Sequence, residues 1–531
     1  MFDLLLKNAR IVDGSGNPWI KGDVAVEGNK IVAMGDLGAA AAKRTIDVAG
    51  SVVAPGFIDL HSHSDVTFSD FPRGESMITQ GITTQLVGNC GMSPFPIVPE
   101  RIDLLKSYIF FSGPSLSFDW NDAATFMKHL DSLPLSGNVA LQVGHGAVRI
   151  AAMGYDNRVP TESELAFMKK LVAESFEAGV FGFSSGLIYV PGSYSQTPEL
   201  VALAEVGQRY GGFYSSHIRG EGQTLLEAVD EALTVGKEAG VGVQLSHHKA
   251  AGKNNWGKVK TSLQMIDQAR AAGQDVQADQ YPYTAGSTTL TALLPQWALE
   301  GGVAAMKERL RNPETYARIK ASIANQEADS GASQFSIDTI MIGKVADGPF
   351  QAYEGKMVTE IAEIRGEDPV DTALLMLRDT PGGIAMIVFI MSEDDIKEVM
   401  QHPVVSIGTD GTGINPTAGG KPHPRTYGTF PRVLGKYVRD EKILTLEEAI
   451  RKMTSLPARR LGRFDMGLIR PGCQADLVVF DPENVNEGTS YADPHQYARG
   501  ISHVIVNGQV VIENGQDTGV NAGRVLRRGQ A

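Results

Sequence analysis

Across the middle of the chain, short apolar segments alternate with helical patterns, and no other feature limits the fold so strongly. Such alternation is the texture of βα units and a parallel sheet. The apolar segments are Val52 to Ile58, Thr83 to Val87, Asn138 to Val143, Gly179 to Ser184, Phe213 to Ser216, Gly242 to Leu245, Asp275 to Asp279 and Val404 to Ile407. They number eight, as a closed (β/α)8 barrel requires, so an α/β fold of the TIM-barrel type is expected over about 55–465. Between Tyr283 and Val404 the interval is far longer than a βα connection needs. About 285–403 is therefore predicted to contain an inserted subdomain near the barrel mouth, with strands of its own at Thr339 to Ile342 and Ile384 to Ile390.

The two ends have a different texture. Residues 1–54 read as short strands, among them Asp3 to Leu6, Asp23 to Val26 and Lys30 to Met34, with turns at Asp13-Gly14 and Glu27-Gly28. Residues 466–531 repeat it with Asp476 to Phe480, Ser502 to Val506 and Gln509 to Ile512, around an Asn507-Gly508 hairpin signal. Each end is too small to stand alone, and together they are expected to form one sheet domain.

Composition narrows the partners. The 531 residues carry 48 Lys+Arg against 61 Asp+Glu, a net charge of −13, which argues against a nucleic-acid partner and for a small-molecule substrate. With 42% hydrophobic residues a large core is available, yet no run of about 18 apolar residues could span a bilayer, so no membrane partner is expected. The N-terminus lacks the features of a secretory signal, and the two cysteines, Cys90 and Cys473, lie far apart. A cytoplasmic protein without a disulfide framework is the expectation; oligomeric state is not legible.

Candidate chemistry collects at predicted strand ends. His61 and His63 follow the first strand, and alternate residues of an extended segment point the same way, so both imidazoles can converge on one metal. Cys90 follows the second strand, His217 ends the fifth, His247 and His248 end the sixth, and Asp410 follows the eighth. Each alone has a plainer reading: a buried cysteine, a packed histidine, an aspartate in a turn. Together they are harder to dismiss, since five of eleven histidines fall on the face where barrel active sites lie. Metal-assisted hydrolysis fits this set, zinc activating a water and Asp410 serving as general base. His129, His145, His402, His495 and His503 take the structural reading, with His145 the hardest to set aside.

The segment Ala54-Pro55-Gly56-Phe57-Ile58-Asp59-Leu60-His61-Ser62-His63, the opening Leu-Leu-Lys-Asn-Ala-Arg-Ile-Val-Asp-Gly and the closing run from Ile469 to Val478 resemble the amidohydrolase superfamily. More narrowly, Gly88-Asn89-Cys90-Gly91, Ser184-Ser185-Gly186-Leu187-Ile188-Tyr189, Ser216-His217-Ile218-Arg219-Gly220-Glu221, Ser246-His247-His248-Lys249 and His423-Pro424-Arg425-Thr426-Tyr427-Gly428 are similar to the D-aminoacylase family, the N-acyl-D-amino-acid deacylases. The resemblance implies a (β/α)8 barrel with a small β-sandwich domain built from both termini, and one or two zinc ions. It implies that Cys90, His217 and His247 hold a tight zinc, and that His61, His63 and Asp410 hold a second, weaker one.

For the substrate the resemblance implies a carboxylate grip by Lys249, Arg425 and a tyrosine of Tyr281-Pro282-Tyr283, with Tyr283 taken as the candidate. Tyr189 would donate to the developing oxyanion, and Arg219 and Glu221 would orient His217. The implied reaction is zinc-dependent hydrolysis of N-acyl-D-amino acids to a carboxylate and a free D-amino acid. The alternatives are a dihydropyrimidinase-like cyclic amidase, a D-peptide hydrolase and a non-catalytic scaffold of the same fold. Hydantoinase-like relatives bridge two metals with a carboxylated lysine, and the strand ending in Ser184-Ser185-Gly186 offers none.

Overall fold

A computed structural model describes residues 1–109, 116–326, 334 and 336–529. Residues 327–333 and 335 of the predicted insertion and 530–531 of the C-terminal segment lie outside the described residues. Eight parallel strands form the barrel: Phe57–Asp59, Ile82–Val87, Asn138–Gly144, Gly182–Gly186, Phe213–His217, Gly242–Leu245, Val276–Gln280 and Val405–Ile407. They neighbour one another in chain order and are buried along their length apart from Gly242. That is why the sequence shows short apolar runs here, since a parallel sheet is covered on both faces. Beyond the last strand, Asp410 N donates to His61 O at 2.7 Å and His63 N to Gly411 O at 2.8 Å. The first and last strands thus meet where the candidate residues stand.

The segment expected as one strand over Val52 to Ile58 is two. Val52–Pro55 joins the terminal sheet, antiparallel to Leu477–Phe480 and parallel to Phe2–Ile11, and the barrel begins at Phe57. Gly56 permits the break, because a Cβ there would lie 2.2 Å from Thr83 Oγ1. Both chain ends contribute to this nine-stranded sheet. Its central strand obeys the period of two: Val478 and Phe480 pack with Phe57 and Ile82 beside the barrel, while Leu477 and Val479 pack with Leu4, Leu6 and Val26 on the other face. Between Ile501–Val506 and Gln509–Glu513, Asn507 (φ 50°) and Gly508 (φ 79°) make the positive-φ hairpin turn that the sequence announced.

After the seventh barrel strand the chain leaves to build a second small sheet, Ala285–Thr289, Ile384–Phe389 and Ile340–Val345, all antiparallel. Helices Gly302–Arg311, Pro313–Ala324, Val358–Arg365 and Pro369–Asp379 accompany it, around a core that includes Leu290, Met306, Ile342, Leu374 and Met386. Helix Glu393–Gln401 then returns to the barrel, packs on helix Val259–Ala271 and leads into the eighth strand. The subdomain is thus inserted at the C-terminal end of the seventh strand, the end that carries function in such barrels. Among the described residues no helix is long and apolar enough to cross a membrane.

Candidate metal centre and active site

His61, Cys90, His217, His247 and Asp410 come from the ends of five different strands, and all are at most 8% exposed. Three of them adopt left-handed backbone, Cys90 at φ 56°, His247 at φ 36° and Asp410 at φ 49°. A Cβ disfavours that region, so such conformers persist only where their surroundings over-determine them. Around Cys90, Gly91 N donates to Ser184 Oγ at 3.1 Å, and a Cβ on Gly186 would meet Cys90 O at 2.0 Å. The turn at His247 is held by Asp279 Oδ1, which accepts its N–H at 2.8 Å. At Asp410 the barrel-closing bond to His61 O does the same work, and neighbouring Thr409 is tied to the buried Asp59.

These turns bring the donor atoms together. Cys90 Sγ lies 3.3 Å from His61 Nε2 and 3.7 Å from His247 Nε2, and His217 Nδ1 lies 2.8 Å from His247 Nε2. Asp410 Oδ1 lies 3.2 Å from His63 Nε2 and 3.5 Å from His61 Nε2. His61 therefore stands between the two expected ligand sets, beside Cys90 and His247 as well as beside His63 and Asp410. Sulfur, imidazole and carboxylate converging in a buried space make a donor set that suits zinc. The far side of the imidazoles fits the same reading. His61 Nδ1 is 3.1 Å from Asp279 Oδ1, so a proton held there leaves its Nε2 lone pair facing inward, while His247 Nδ1 is held between Glu221 Oε1 at 3.0 Å and Lys249 Nζ at 2.7 Å. Among the described residues His217 Nε2 is buried without a hydrogen-bond partner.

Charge follows geometry. Against burial, which would raise it, the neighbouring His61 charge and contacts with His217 and His247 hold the Cys90 thiol well below its ordinary pKa. Burial is likewise outweighed at Asp410, where Arg425, His61, His247 and His63 hold the carboxyl well below the usual range. Arg425 makes the ion pair, NH1 to Asp410 Oδ2 at 2.8 Å. Lys249 Nζ is similarly paired with Glu221 Oε1 at 2.5 Å, and Glu221 is held well below its ordinary pKa by Lys249, His217 and His247 despite burial.

Beside this cluster opens a cavity of about 170 Å3, lined by Tyr189, Lys249, Tyr281 and Arg425 from the barrel loops and by Ser287, Lys344 and Ile387 from the inserted sheet. Tyr189 OH is 3.0 Å from Thr288 Oγ1, which ties the loop after the fourth strand to the insertion. Tyr281, not Tyr283, forms the wall: Arg425 and Lys249 lie over its ring at 4.7 and 5.6 Å. Tyr283 points away, donating to Glu487 at 2.8 Å and lying against Arg432. The alternation of an extended Tyr281-Pro282-Tyr283 segment does not itself say which tyrosine faces inward.

Arg219 is not beside His217. Its guanidinium binds Glu231 at 2.9 Å and donates to Ser193 O and Ser195 O, so it clamps the loop that carries Tyr189. Glu221 sits nearer His247, at 3.0 Å, than His217, at 3.9 Å. His248 turns outward to Ser262, and His145 is buried against Glu199 at 2.8 Å. His423 Nδ1 accepts Arg425 N at 3.0 Å while Nε2 faces Ala285 O at 2.9 Å, bracing the turn before Arg425. Sequence reasoning passed over Asp279, although it too lies at a strand's C-terminal end. Its position among the predicted strand ends was the available signal.

The comparisons with known proteins agree with this geometry. A family model described as "Amidohydrolase family" matches residues 44–512. N-acyl-D-glutamate deacylase of Alcaligenes xylosoxydans xylosoxydans is 38% identical over 99% of this chain and 96% of its own length. D-aminoacylase of the same organism is 36% identical over 99% of this chain and 98% of its own. Among solved structures, N-acyl-D-glutamate deacylase from Bordetella bronchiseptica, complexed with zinc and a phosphonate mimic of the tetrahedral intermediate, superposes with a TM-score of 0.82 at 34% identity, covering 99% of each chain. The barrel with its paired-end sheet, the buried sulfur and imidazole cluster and this full-length similarity converge: the chain belongs to the amidohydrolase family and, within it, to the D-aminoacylase or N-acyl-D-amino-acid deacylase group.

Proposed function

We propose that this chain is a zinc-dependent deacylase that hydrolyses N-acyl-D-amino acids to a carboxylate and a free D-amino acid, working in the cytoplasm on small molecules. The observation that carries the reading is the largely buried cluster of Cys90, His61, His63, His217, His247 and Asp410 opening onto a cavity lined by Arg425 and Lys249. The names of full-length relatives support the same substrate class.

Cys90, His217 and His247 would hold one zinc, with His61, His63 and Asp410 offering a second, weaker place and His61 within reach of both. Zinc in that place would supply Lewis acidity toward the scissile carbonyl and would lower the pKa of a water to about 7. Asp410, kept ionised by Arg425, takes the water's proton at its carboxylate and returns it to the amide nitrogen as the C–N bond breaks and the new C–O bond forms. Tyr189 donates its hydroxyl proton toward the carbonyl oxygen as negative charge gathers there. Arg425, Lys249 and Tyr281 grip the substrate's carboxylate, the guanidinium fixing its plane and the ammonium adding a point charge. Ser287 and Ile387 of the inserted sheet roof the cavity and limit water.

The deciding assay is release of free amino acid from N-acetyl-D- and N-acetyl-L-methionine and -glutamate by zinc-quantified protein. Release from a D form alone, lost on chelation and regained with zinc, is expected. No release from either D substrate by zinc-loaded protein would overturn the reading.

A further inference from the structure

The strand Ile340–Val345 carries an irregularity that bears on which side chain the cavity accepts. Its register with Ile384–Phe389 runs Ile340 to Val388, Met341 to Ile387 and Ile342 to Met386, then slips so that Lys344, not Gly343, faces Ala385. Strict alternation would put Lys344 on the same face as Ile340 and Ile342, inside the subdomain core. The bulge restores Val345 to that core and leaves Lys344 on the opposite face, the face of Met341 and Ile387 that looks over the active-site cavity. Bulges beside active sites re-aim side chains in this way. A half-buried lysine is thereby delivered to the cavity wall instead of to an apolar core that could not tolerate it.

Charge pairing then distinguishes this lysine from the cations already placed. Four cationic and two acidic side chains line the cavity. Lys249 is paired with Glu221 and Arg425 with Asp410. Lys344 and Lys421 remain, and among the described residues each donates only to a backbone carbonyl, Lys344 Nζ to Ala418 O and Lys421 Nζ to Ala492 O, both at 3.1 Å. The strand and the loop that bear them are joined, since Lys421 N donates to Gly343 O at 2.6 Å. In a chain of net charge −13, a cavity wall with two cations and no remaining carboxylate is a selective feature.

We infer that Lys344 is the specificity-determining residue for the substrate's side chain, and that the preferred substrates are N-acyl-D-amino acids with an acidic side chain. The inference rests on the deacylase reading above: with the α-carboxylate held by Arg425 and Lys249, a second carboxylate on the side chain meets Lys344 on the inserted sheet. Lys421, nearer solvent, adds to the positive potential that such a dianion meets on approach.

The test compares kcat/KM for N-acetyl-D-glutamate and N-acetyl-D-methionine in wild-type protein and in Lys344→Met, Lys344→Glu and Lys344→Arg, each with zinc content measured. Wild type is expected to favour the acidic substrate. The glutamate-to-methionine ratio should fall ~10- to 100-fold in Lys344→Met, the range expected for a charge-assisted hydrogen bond. It should fall further in Lys344→Glu and be largely retained in Lys344→Arg. Wild type favouring methionine, or a ratio unchanged in Lys344→Met that still turns over either substrate, overturns the inference and leaves the deacylase reading standing. Turnover of neither substrate by zinc-loaded wild type strikes at the deacylase reading itself. Because the readout is a ratio, partial misfolding of a variant cancels.

Discussion

Asp279 Oδ1 and His61 Nδ1 are 3.1 Å apart, and the same carboxylate oxygen accepts the backbone N–H of His247 at 2.8 Å. One buried carboxylate thus orients the His61 ring and fixes the backbone turn that carries His247, while Gln244 steadies its other oxygen at 2.8 Å. Removing it frees the His61 ring and loosens the turn at His247 without touching a donor atom. Asp279→Ala should weaken zinc binding ~10- to 100-fold, the usual cost of losing an outer partner of a ligating histidine. Competition against a chelator measures this, and an unaltered zinc affinity would remove Asp279 from the account.

Cys90 is the one sulfur in the cluster, with three imidazoles around it. Cys90→Ala and His217→Ala should each lose bound zinc and activity together, since both donor atoms face the same buried space. Elemental analysis beside turnover checks it; either variant keeping its metal and normal turnover would sink the ligand assignment.

Asp410→Asn separates proton transfer from metal binding. The amide retains the shape and cannot take the proton, so kcat should drop by about 10^2- to 10^4-fold, the contribution typical of a positioned general base. Zinc should stay bound through Cys90, His217 and His247. An unaffected kcat would rule out Asp410 as the base.

Arg219 acts on the loop, not on a ligand. Its bonds to Ser193 O and Ser195 O fix the stretch that presents Tyr189. Arg219→Ala should lower kcat about 10-fold, the scale at which misplacing a reacting group is felt, with zinc content unchanged. Loss of zinc instead would return Arg219 to the neighbourhood of His217.

His248 supplies a pH signature. Burial, and then the nearby Lys249 charge, pushes its pKa from 6.5 down to about 4. The unfolded chain therefore takes up the proton first, so the stabilising contribution is fully present above pH 6.5 and is lost as pH falls toward 4. The whole change is on the order of 3 kcal/mol. Urea unfolding at pH 7 and pH 4.5 should show a smaller acid loss in His248→Asn than in wild type. Equal losses would count against a neutral, buried His248.

The residues that carry the proposed chemistry were legible because they recur at one structural address. In a parallel barrel every strand ends on the same face, so His61, Cys90, His217, His247 and Asp410 can be picked out once the strands are known. Asp279 shares that address, and nothing in its local sequence marks it as the partner of His61 Nδ1 and His247 N, which come from other strands. Arg219, two residues after His217, would share its side only if the segment stayed extended; the strand ends at His217, and the guanidinium reaches Glu231 and the loop at Ser193 and Ser195 instead.

Sequence by itself settled the periodicities, and with them the eight-stranded barrel, the joint terminal sheet and the presence of an insertion, because burial imposes its pattern on every strand and helix locally. It also supplied the candidate donors, which the fold brings together. What only the tertiary structure decided depends on contacts between segments far apart in the chain. These are the break at Gly56 against Thr83, the choice of Tyr281 over Tyr283, His61 standing between the two ligand sets, and the one-residue slip that turns Lys344 from the subdomain core to the cavity. A register shift of a single residue reverses the facing of a side chain while leaving local composition unchanged, so the linear sequence holds no mark of it.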